Sequence, residues 1–186
     1  FAAGEVQSGR VLDGLGVGGV AANSFFLSVQ RTTGFSTVDM SAIRDLTTVV
    51  LLMFMFIGGA STSMASGIKV GTLMVSVAVV VSSLRGRHGA ELFGREIPQP
   101  VVLRAISVVL SGVVVLTLGV WALEITDKVP FLPLLFEAMS ALANVGWSQG
   151  VTGQLSTAGA MILVVLMFVG RLGPLMVALT VPERPQ

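Results

Sequence analysis

The architecture of this chain can be worked out from two short segments, Thr32-Thr33-Gly34-Phe35-Ser36 and Asn144-Val145-Gly146-Trp147-Ser148. Each segment centres on a glycine, and each follows an apolar stretch, at residues 16–30 and 131–143. At about 1.5 Å per residue, neither stretch is long enough as a helix to cross about 30 Å of hydrocarbon. Glycine also permits backbone dihedral angles that other residues avoid. The pattern predicts two short helices that end inside a membrane, each followed by an irregular loop.

The composition agrees with a membrane setting. Of the 186 residues, 53% are hydrophobic and 11% are charged, and the mean hydropathy is +0.90. Ordinary soluble domains carry about 25% charged residues. The composition therefore argues against an average soluble enzyme and predicts an all-α membrane protein with several apolar segments.

Several classes of function are excluded or disfavoured by the residues that are rare. The formal net charge is only +1, so nothing indicates a nucleic-acid partner. The absence of cysteine excludes disulfides and thiolate metal sites, and a single histidine cannot form a histidine cluster. We find no nucleophile, base and acid set, and we expect no enzyme. Because the chain begins with Phe1 and lacks a signal-peptide pattern, we expect an internal start.

Two apolar segments carry interruptions. Residues 42–84 are about twice as long as one span, yet no charged loop divides them. The apolar pattern breaks at residues 58–67, which are rich in glycine, alanine and hydroxyl side chains. A broken helix fits this better than two spans, because irregular backbone is tolerated at membrane depth where it lines a cavity. Residues 155–181 form a further span, interrupted at 170–174.

An internal repeat relates the two halves. Gly34 and Gly146 lie 112 positions apart (146 − 34), and the same offset pairs other residues. These pairs are Phe35 with Trp147, Ser36 with Ser148, Met55 with Met167, and Gly58 with Gly170. Each unit is a short re-entrant helix, a glycine-centred loop and an interrupted inner helix. Such a loop can return through a membrane where it lines a watery pore, because its carbonyls can replace an ion's hydration shell.

Short basic loops remain in the cytoplasm, which sets the orientation. The polar segment 85–100 is therefore predicted to be a cytoplasmic loop. Residues 101–125 then run outward as an uninterrupted span, and the tail from Pro182 returns to the cytoplasm. We expect a multi-pass protein of the cell (cytoplasmic) membrane, embedded in a lipid bilayer.

Four motifs together resemble the Trk/Ktr/HKT superfamily of potassium transporters, from about residue 16 to 181. The third filter of that family resembles residues 31–39, and its fourth filter resembles 136–141 with 145–148. Its intramembrane gating loop resembles the segment from Met55 to Lys69, and its last inner helix resembles 167–174. Both glycine loops are also similar to the potassium-channel filter Thr-Val-Gly-Tyr-Gly. The implied fold has helix–re-entrant pore helix–helix repeats with broken inner helices, like a potassium channel.

The resemblance implies a set of site residues. Potassium would bind at filter residues Thr32, Thr33, Gly34, Phe35, Asn144, Val145, Gly146 and Trp147. The gate would comprise Gly58, Gly59, Ser61, Ser63, Gly67, Lys69 and Arg171. Lys69 has two open readings, as an interfacial side chain or as an anchor of the gate. For Arg171 we favour the permeation barrier over a structural ion pair. Glu137 is expected to form a structural ion pair or cap.

The resemblance also implies an organisation into repeats. Residues 1–84 would be a third pore repeat lacking its first helix, and residues 101–186 a fourth pore repeat with a short tail. The pore would need the missing N-terminal repeats or a second copy of the chain. Implied partners are a second protomer in a homodimer and a cytoplasmic nucleotide-binding regulatory subunit of the RCK/KTN type. Potassium is the substrate, with sodium or a proton as a coupling ion, and no cofactor is expected.

Two alternatives remain. A secondary transporter of another small solute would bind its substrate at the membrane midplane, near Gly58 and Gly170. A non-transporting scaffold subunit would use the small-residue runs for packing. The filter reading makes two structural predictions. Gly34 has a positive φ angle, and the loop at 58–67 lies within contact reach of Arg171, because Arg171 aligns with Gly59.

Overall fold

The computed structural model describes residues 17–30, 33–37, 39–58, 69–85, 91–92 and 95–180. Helices occupy most of this part of the chain. In chain order they are α1 Val17–Gln30, α2 Asp45–Phe56, α3 Val70–Leu84, α4 Gln99–Thr126, α5 Phe131–Ala143 and α6 Thr157–Thr180. Single 3₁₀ turns lie at Met40–Ala42 and Thr152–Gln154. Two short strands, β1 Glu91–Leu92 and β2 Arg95–Glu96, pair antiparallel.

The helices have the lengths and surfaces of a membrane protein. Among the described residues, α4 is the one helix long and apolar enough to cross a membrane, with a mean hydropathy of 2.4 over its most apolar window. Only 6% of that window is buried against the rest of the chain, which separates α4 from the core helix of a soluble protein. Four shorter apolar helices accompany it, including α5 at Phe131–Ala143. The prediction of a helical membrane protein is confirmed at this level.

Two apolar clusters hold the helices together. The first joins the two halves of the chain, because Leu27 of α1 and Met55 of α2 pack with Phe136 of α5. The second lies within the second half, where α4, α5 and α6 pack around Leu123 and Leu134. Each fully buried leucine or methionine contributes about 1.5–3 kcal/mol. The short helix α5 belongs to both clusters and is the most enclosed element of the described structure.

The predicted interruption of the last helix is wrong. The helix α6 continues through Gly170 to Thr180. A Cβ placed on Gly170 would lie 1.9 Å from the carbonyl oxygen of Leu142, at the end of α5. Gly170 is therefore needed for the close approach of two helices and does not mark a break. In the first half, α2 and α3 are separate helices, and residues 59–68 between them lie outside the described part.

Within the predicted loop 85–100, the described residues include one short pair of strands. Glu91 lies opposite Glu96 and Leu92 opposite Arg95, in a small antiparallel ladder. Polar residues that cannot join an apolar core can still satisfy their backbone groups by pairing with each other. The helix α4 then begins at Gln99 rather than at residue 101. Pro100 fits in its first turn, where a missing N–H costs nothing.

The carboxylate of Asp127 caps the start of α6. The backbone N–H of Ser156 donates to Asp127 Oδ1 at 2.6 Å, and the Thr126 hydroxyl donates to Oδ2 at 2.8 Å. The hydrogen bond from the Ser156 backbone lowers the pKa of Asp127 below its usual 3.8, against the opposing effect of burial. A lowered pKa in the folded state means that the ionised form stabilises the fold.

We therefore expect Asp127 to add stability above pH 3.8, and to lose that contribution as the pH falls through its lowered pKa. Asp127→Asn should lower the unfolding midpoint at neutral pH and flatten its acid dependence. Thermal unfolding of the full-length protein across this pH range measures both effects. The control Glu124→Gln, at an exposed position near the end of α4, should leave them unchanged. A variant that keeps the parent's acid dependence would contradict the capping role.

Candidate functional site

The two glycine loops face each other in the folded chain. Gly34 has a φ of +76° and Gly146 a φ of +93°. A Cβ on Gly34 would lie 2.3 Å from the carbonyl oxygen of Val145, and one on Gly146 would lie 3.9 Å from Gly34 Cα. The positive φ predicted for Gly34 is confirmed. The loops are 112 residues apart in sequence, and their backbones meet at these glycines.

In the second loop, two successive carbonyls turn away from α5. The N–H of Val145 donates to the Ser140 carbonyl at 3.0 Å, and the N–H of Gly146 donates to Ser140 Oγ at 3.2 Å. In a trans peptide unit the C=O points opposite to the N–H. The carbonyls of Asn144 and Val145 therefore both point away from the helix. The Val145 oxygen is the atom nearest to the position of the missing Gly34 side chain.

Alternating backbone conformations produce this alignment. Asn144 has φ +52° and Gly146 has φ +93°, whereas Val145 between them is not in the positive-φ region. In an ordinary strand, successive carbonyls point to opposite sides. A positive φ at every second residue turns them to the same side. A row of carbonyls on one side of a loop can replace the water around a cation.

Asn144 has a φ of +52°, and this conformation explains why asparagine fits at its position. Asparagine tolerates the left-handed conformation better than other non-glycine residues. Asn144 N–H donates to the Ala141 carbonyl at 3.1 Å, which closes the end of α5. Its side-chain Nδ2 donates to the Met167 carbonyl at 3.1 Å. Asn144 thus ends the helix, starts the loop and ties both to α6.

Trp147 links the two loops directly. Its indole Nε1–H donates to the carbonyl of Phe35 at 3.1 Å. The tryptophan ring is buried in the first apolar cluster, with an exposed fraction of 3%, while the Phe35 side chain is exposed. The two residues occupy equivalent positions in the internal repeat. The carbonyl of one loop is therefore held by a side chain of the other.

Glu137 braces the segment that follows the second loop. Its carboxylate is 5% exposed and lies on α5. It accepts hydrogen bonds from the Ser148 hydroxyl, from Gln149 N–H at 3.1 Å and from the Thr152 hydroxyl at 2.7 Å. These three donors are neutral and belong to the segment after the loop, so the bonds are neither the predicted ion pair nor a helix cap. Hydrogen bonds to a charged acceptor are stronger than neutral ones, so this brace fixes the end of the loop that follows Trp147.

We expect Glu137→Gln to weaken this brace without removing it. Glutamine keeps one acceptor oxygen for Ser148 and Gln149, and its NH₂ can donate to the Thr152 oxygen. The exchange of charged for neutral hydrogen bonds should lower the free energy of unfolding by about 1 kcal/mol. Denaturant unfolding of the full-length protein measures it, with Glu124→Gln as the exposed control. Equal stabilities for the two variants would contradict the assigned role.

Further side chains fix the two loops to their surroundings. Gln149 Nε2 donates to Thr48 Oγ1 at 2.8 Å, which connects the second loop to α2. The Thr37 hydroxyl donates to Asn23 Oδ1 at 2.6 Å, which connects the segment after the first loop to α1. Thr33 N–H donates to the Gln30 carbonyl at 2.9 Å at the end of α1. Each loop is thus braced by the short helix before it.

The predicted site residues fall into three groups. Gly34 and Phe35 of the first loop meet residues 145–147 of the second, and Thr33 and Asn144 are their neighbours in sequence. Thr32 lies outside the described residues. Of the gate residues, Gly58 is buried after α2, Lys69 precedes α3 half-buried, and Arg171 is exposed on α6. Gly59, Ser61, Ser63 and Gly67 lie outside the described part of the chain. The expected contact between their loop and Arg171 stays a prediction.

Three residues that hold the loops in place were not predicted from the sequence: Ser140, Gln149 and Thr48. Ser140 had a signal, because it stands three residues after Glu137 and so shares its helix face. Both side chains bond to the loop that follows α5. The contact between Gln149 and Thr48 has a sequence separation of 101 and left no local pattern.

The described residues contain no group of three or more histidine, cysteine, aspartate or glutamate side chains that could hold a metal ion. A cation bound at the facing loops would be coordinated by main-chain and hydroxyl oxygens. Such ligands suit monovalent cations, which are held by rings of carbonyl dipoles.

Short apolar helices that end in facing glycine loops, next to a long apolar helix, are typical of a helical membrane protein. The comparison with family models agrees. The model of the TrkH family, described as cation transport protein, matches residues 5–186. The chain belongs to this family.

Individual relatives are similar over most of the chain. It is 42% identical to Ktr system potassium uptake protein B of Bacillus subtilis, over 82% of this chain and 34% of that protein. It is 33% identical to the protein of the same name from Vibrio alginolyticus, over 94% of this chain and 38% of that protein. It is 32% identical to potassium/sodium uptake protein NtpJ of Enterococcus hirae, over 82% of this chain and 35% of that protein. The chain therefore spans about a third of the length of these relatives.

Proposed function

We propose that this chain forms one part of a pore through which potassium ions enter the cell. The observation that carries the proposal is the pair of carbonyls at Asn144 and Val145, which both point away from α5, with the Val145 oxygen next to Gly34 of the other loop. Family membership and the names of the potassium uptake relatives support it. The process is permeation and involves no covalent step.

The ion would exchange its water for loop oxygens. The proposed filter comprises Thr32, Thr33, Gly34, Phe35, Asn144, Val145, Gly146 and Trp147. Positive φ angles at Gly34 and Gly146 support this assignment, because they turn the carbonyls to one side. The helices α1 and α5 serve as re-entrant pore helices. Each ends at its loop, so its negative C-terminal dipole favours a cation there.

The proposed gate lies on the cytoplasmic side of the filter. It comprises Gly58, Gly59, Ser61, Ser63, Gly67, Lys69 and Arg171. Small and hydroxyl residues form a poor helix and rearrange at little cost. Arg171 follows Gly170, which packs on the end of α5, so its backbone lies near the start of the second loop. An arginine near the path of a cation raises the barrier to its passage.

Replacing Arg171 by glutamine should therefore raise potassium flux and leave selectivity unchanged. We expect a rise of up to about tenfold, which corresponds to a barrier lower by about 1.4 kcal/mol. Rubidium uptake by the full-length protein in liposomes measures it. Arg85→Gln, at the exposed end of α3, is the control and should behave like the parent protein. Unchanged flux in correctly inserted Arg171→Gln protein would remove Arg171 from the gate.

Two loops cannot surround an ion as four would. We propose that residues 1–84 and 101–186 are the third and fourth pore repeats, joined by the segment 85–100 in the cytoplasm. The remaining repeats, or a second copy, complete the pore in the cytoplasmic membrane. A homodimer regulated by a nucleotide-binding subunit of the RCK/KTN type is the proposed assembly. Sodium or a proton is the proposed coupling ion.

Uptake measurements on the full-length protein test this function. Purified protein in liposomes should accumulate potassium or rubidium in preference to sodium. A secondary transporter for another solute would show no such uptake, and a scaffold subunit would transport nothing. Absence of potassium uptake, with correctly folded and oriented protein, would contradict the proposal.

A further inference from the structure

The hydrogen bond between Trp147 and Phe35 runs in one direction only. The indole Nε1–H of Trp147 donates to the Phe35 carbonyl at 3.1 Å. These residues are equivalent in the two repeats, yet the phenylalanine ring has no donor to return to the carbonyl of Trp147. The two loops therefore differ, because the Phe35 carbonyl of the first loop is held by a side chain of the second, while the Trp147 carbonyl has no equivalent bond from Phe35.

The donor itself is fixed. The Trp147 ring is 3% exposed and packs in the apolar cluster with Phe136 of α5 and Met55 of α2. Its neighbour Ser148 is bonded to Glu137, so the backbone next to the ring is also held. The indole N–H thus reaches the Phe35 carbonyl from a rigid position. The Phe35 side chain is 67% exposed, so the fixation of this residue comes from its main chain.

We propose that Trp147 is a positioning residue that sets the ion preference of the filter through the carbonyl of Phe35. The inference rests on the proposed function and adds a determinant of specificity to it. The indole N–H holds the oxygen at a fixed distance and draws on its electron density. The filter is consequently asymmetric at the level of Phe35 and Trp147.

The fixed position of the Phe35 oxygen and its reduced electron density both favour potassium over sodium. A carbonyl that is tied to a rigid ring cannot move inward to follow a smaller ion. A carbonyl that already accepts a hydrogen bond attracts a cation less strongly. Weaker ligands compensate less for the larger dehydration cost of sodium. Removal of the indole N–H frees the oxygen and strengthens it as a ligand, and each change lowers the preference for potassium.

The test replaces the N–H while keeping the ring. In the full-length protein, Trp147 is replaced by 3-benzothienylalanine, which carries sulfur in place of the indole N–H and has nearly the same shape. Trp147→Phe is a second variant that also lacks the donor. The matched control is Trp121→Phe, at a tryptophan on α4 that is 66% exposed. Uptake of potassium and sodium into liposomes gives the selectivity ratio, and thermal unfolding reports stability separately.

We expect both Trp147 variants to lower the potassium-to-sodium ratio by about three- to tenfold, as the loss of one hydrogen bond predicts. Trp121→Phe should keep the parent's ratio. A purely structural role for Trp147 would lower stability and leave the ratio unchanged, and that result overturns the inference while the proposed function stands. If the parent protein itself does not prefer potassium, the proposed function fails and the inference with it. Should Trp147→Phe fail to insert, the isosteric variant decides.

Discussion

Alanine at Gly34 is expected to reduce the potassium-to-sodium uptake ratio by about 30-fold or more. A non-glycine residue at φ +76° costs about 1–2 kcal/mol. The new Cβ would also lie 2.3 Å from the Val145 carbonyl oxygen, which is a backbone atom and cannot rotate away. Overpacking of this kind costs about 1–3 kcal/mol more. The two loops must move apart, and the carbonyls lose their common direction.

Two other glycines provide graded controls for this substitution. Gly146→Ala incurs the strain of φ +93°, but its Cβ meets only Gly34 Cα at 3.9 Å, so its effect should be smaller. Gly153→Ala has no positive φ and no atom within 4 Å, so it should resemble the parent protein. Potassium and sodium uptake by the full-length variants shows how the three substitutions rank in their effect on the uptake ratio. An uptake ratio for Gly34→Ala equal to that for Gly153→Ala would contradict the filter assignment.

Alanine at Gly170 is expected to be the most destabilising change outside the loops. Its Cβ would lie 1.9 Å from the Leu142 carbonyl oxygen, so α6 must shift away from α5. We expect the free energy of unfolding to fall by about 3 kcal/mol or more. Because Asn144 is bonded to Met167 on the same helix, the shift should also disturb the second loop. Thermal unfolding and rubidium uptake of the full-length protein measure the two consequences.

Gly119→Ala is the matched control for this helix contact. Its Cβ would meet the end of the Leu166 side chain at 2.7 Å, again between α6 and a neighbouring helix. A leucine can change rotamer, whereas the carbonyl of Leu142 is held in the backbone of α5. The loss of stability should therefore be clearly smaller than for Gly170→Ala. Equal losses in both variants would show that contact with the Leu142 carbonyl has no special role.

Much of the helical framework followed from local sequence. Residues 131–143 were correctly predicted as a short helix, because their short apolar run is followed by the glycine loop. The positive φ of Gly34 was predicted from its place in the internal repeat and is confirmed. These features depend on residues close together in sequence, where periodicity and backbone preferences are informative.

Other features depend on contacts between distant residues. Gly170 followed by Pro174 indicated a break in the last helix, yet α6 is continuous because Gly170 meets the end of α5. The pairing of Trp147 with Phe35 joins positions 112 apart, and no local pattern predicts it. The left-handed conformation of Asn144, with a φ of +52°, was also not predicted from the sequence.

The central claim is that the two glycine loops bind the ion. Crystals of the full-length protein grown in rubidium would test it through the anomalous signal of that ion. We predict a rubidium peak next to the carbonyls of Gly34 and Val145, within coordination distance of both loops. A peak at the midplane near Gly58 and Gly170, with none between the loops, would contradict the account and favour a secondary transporter.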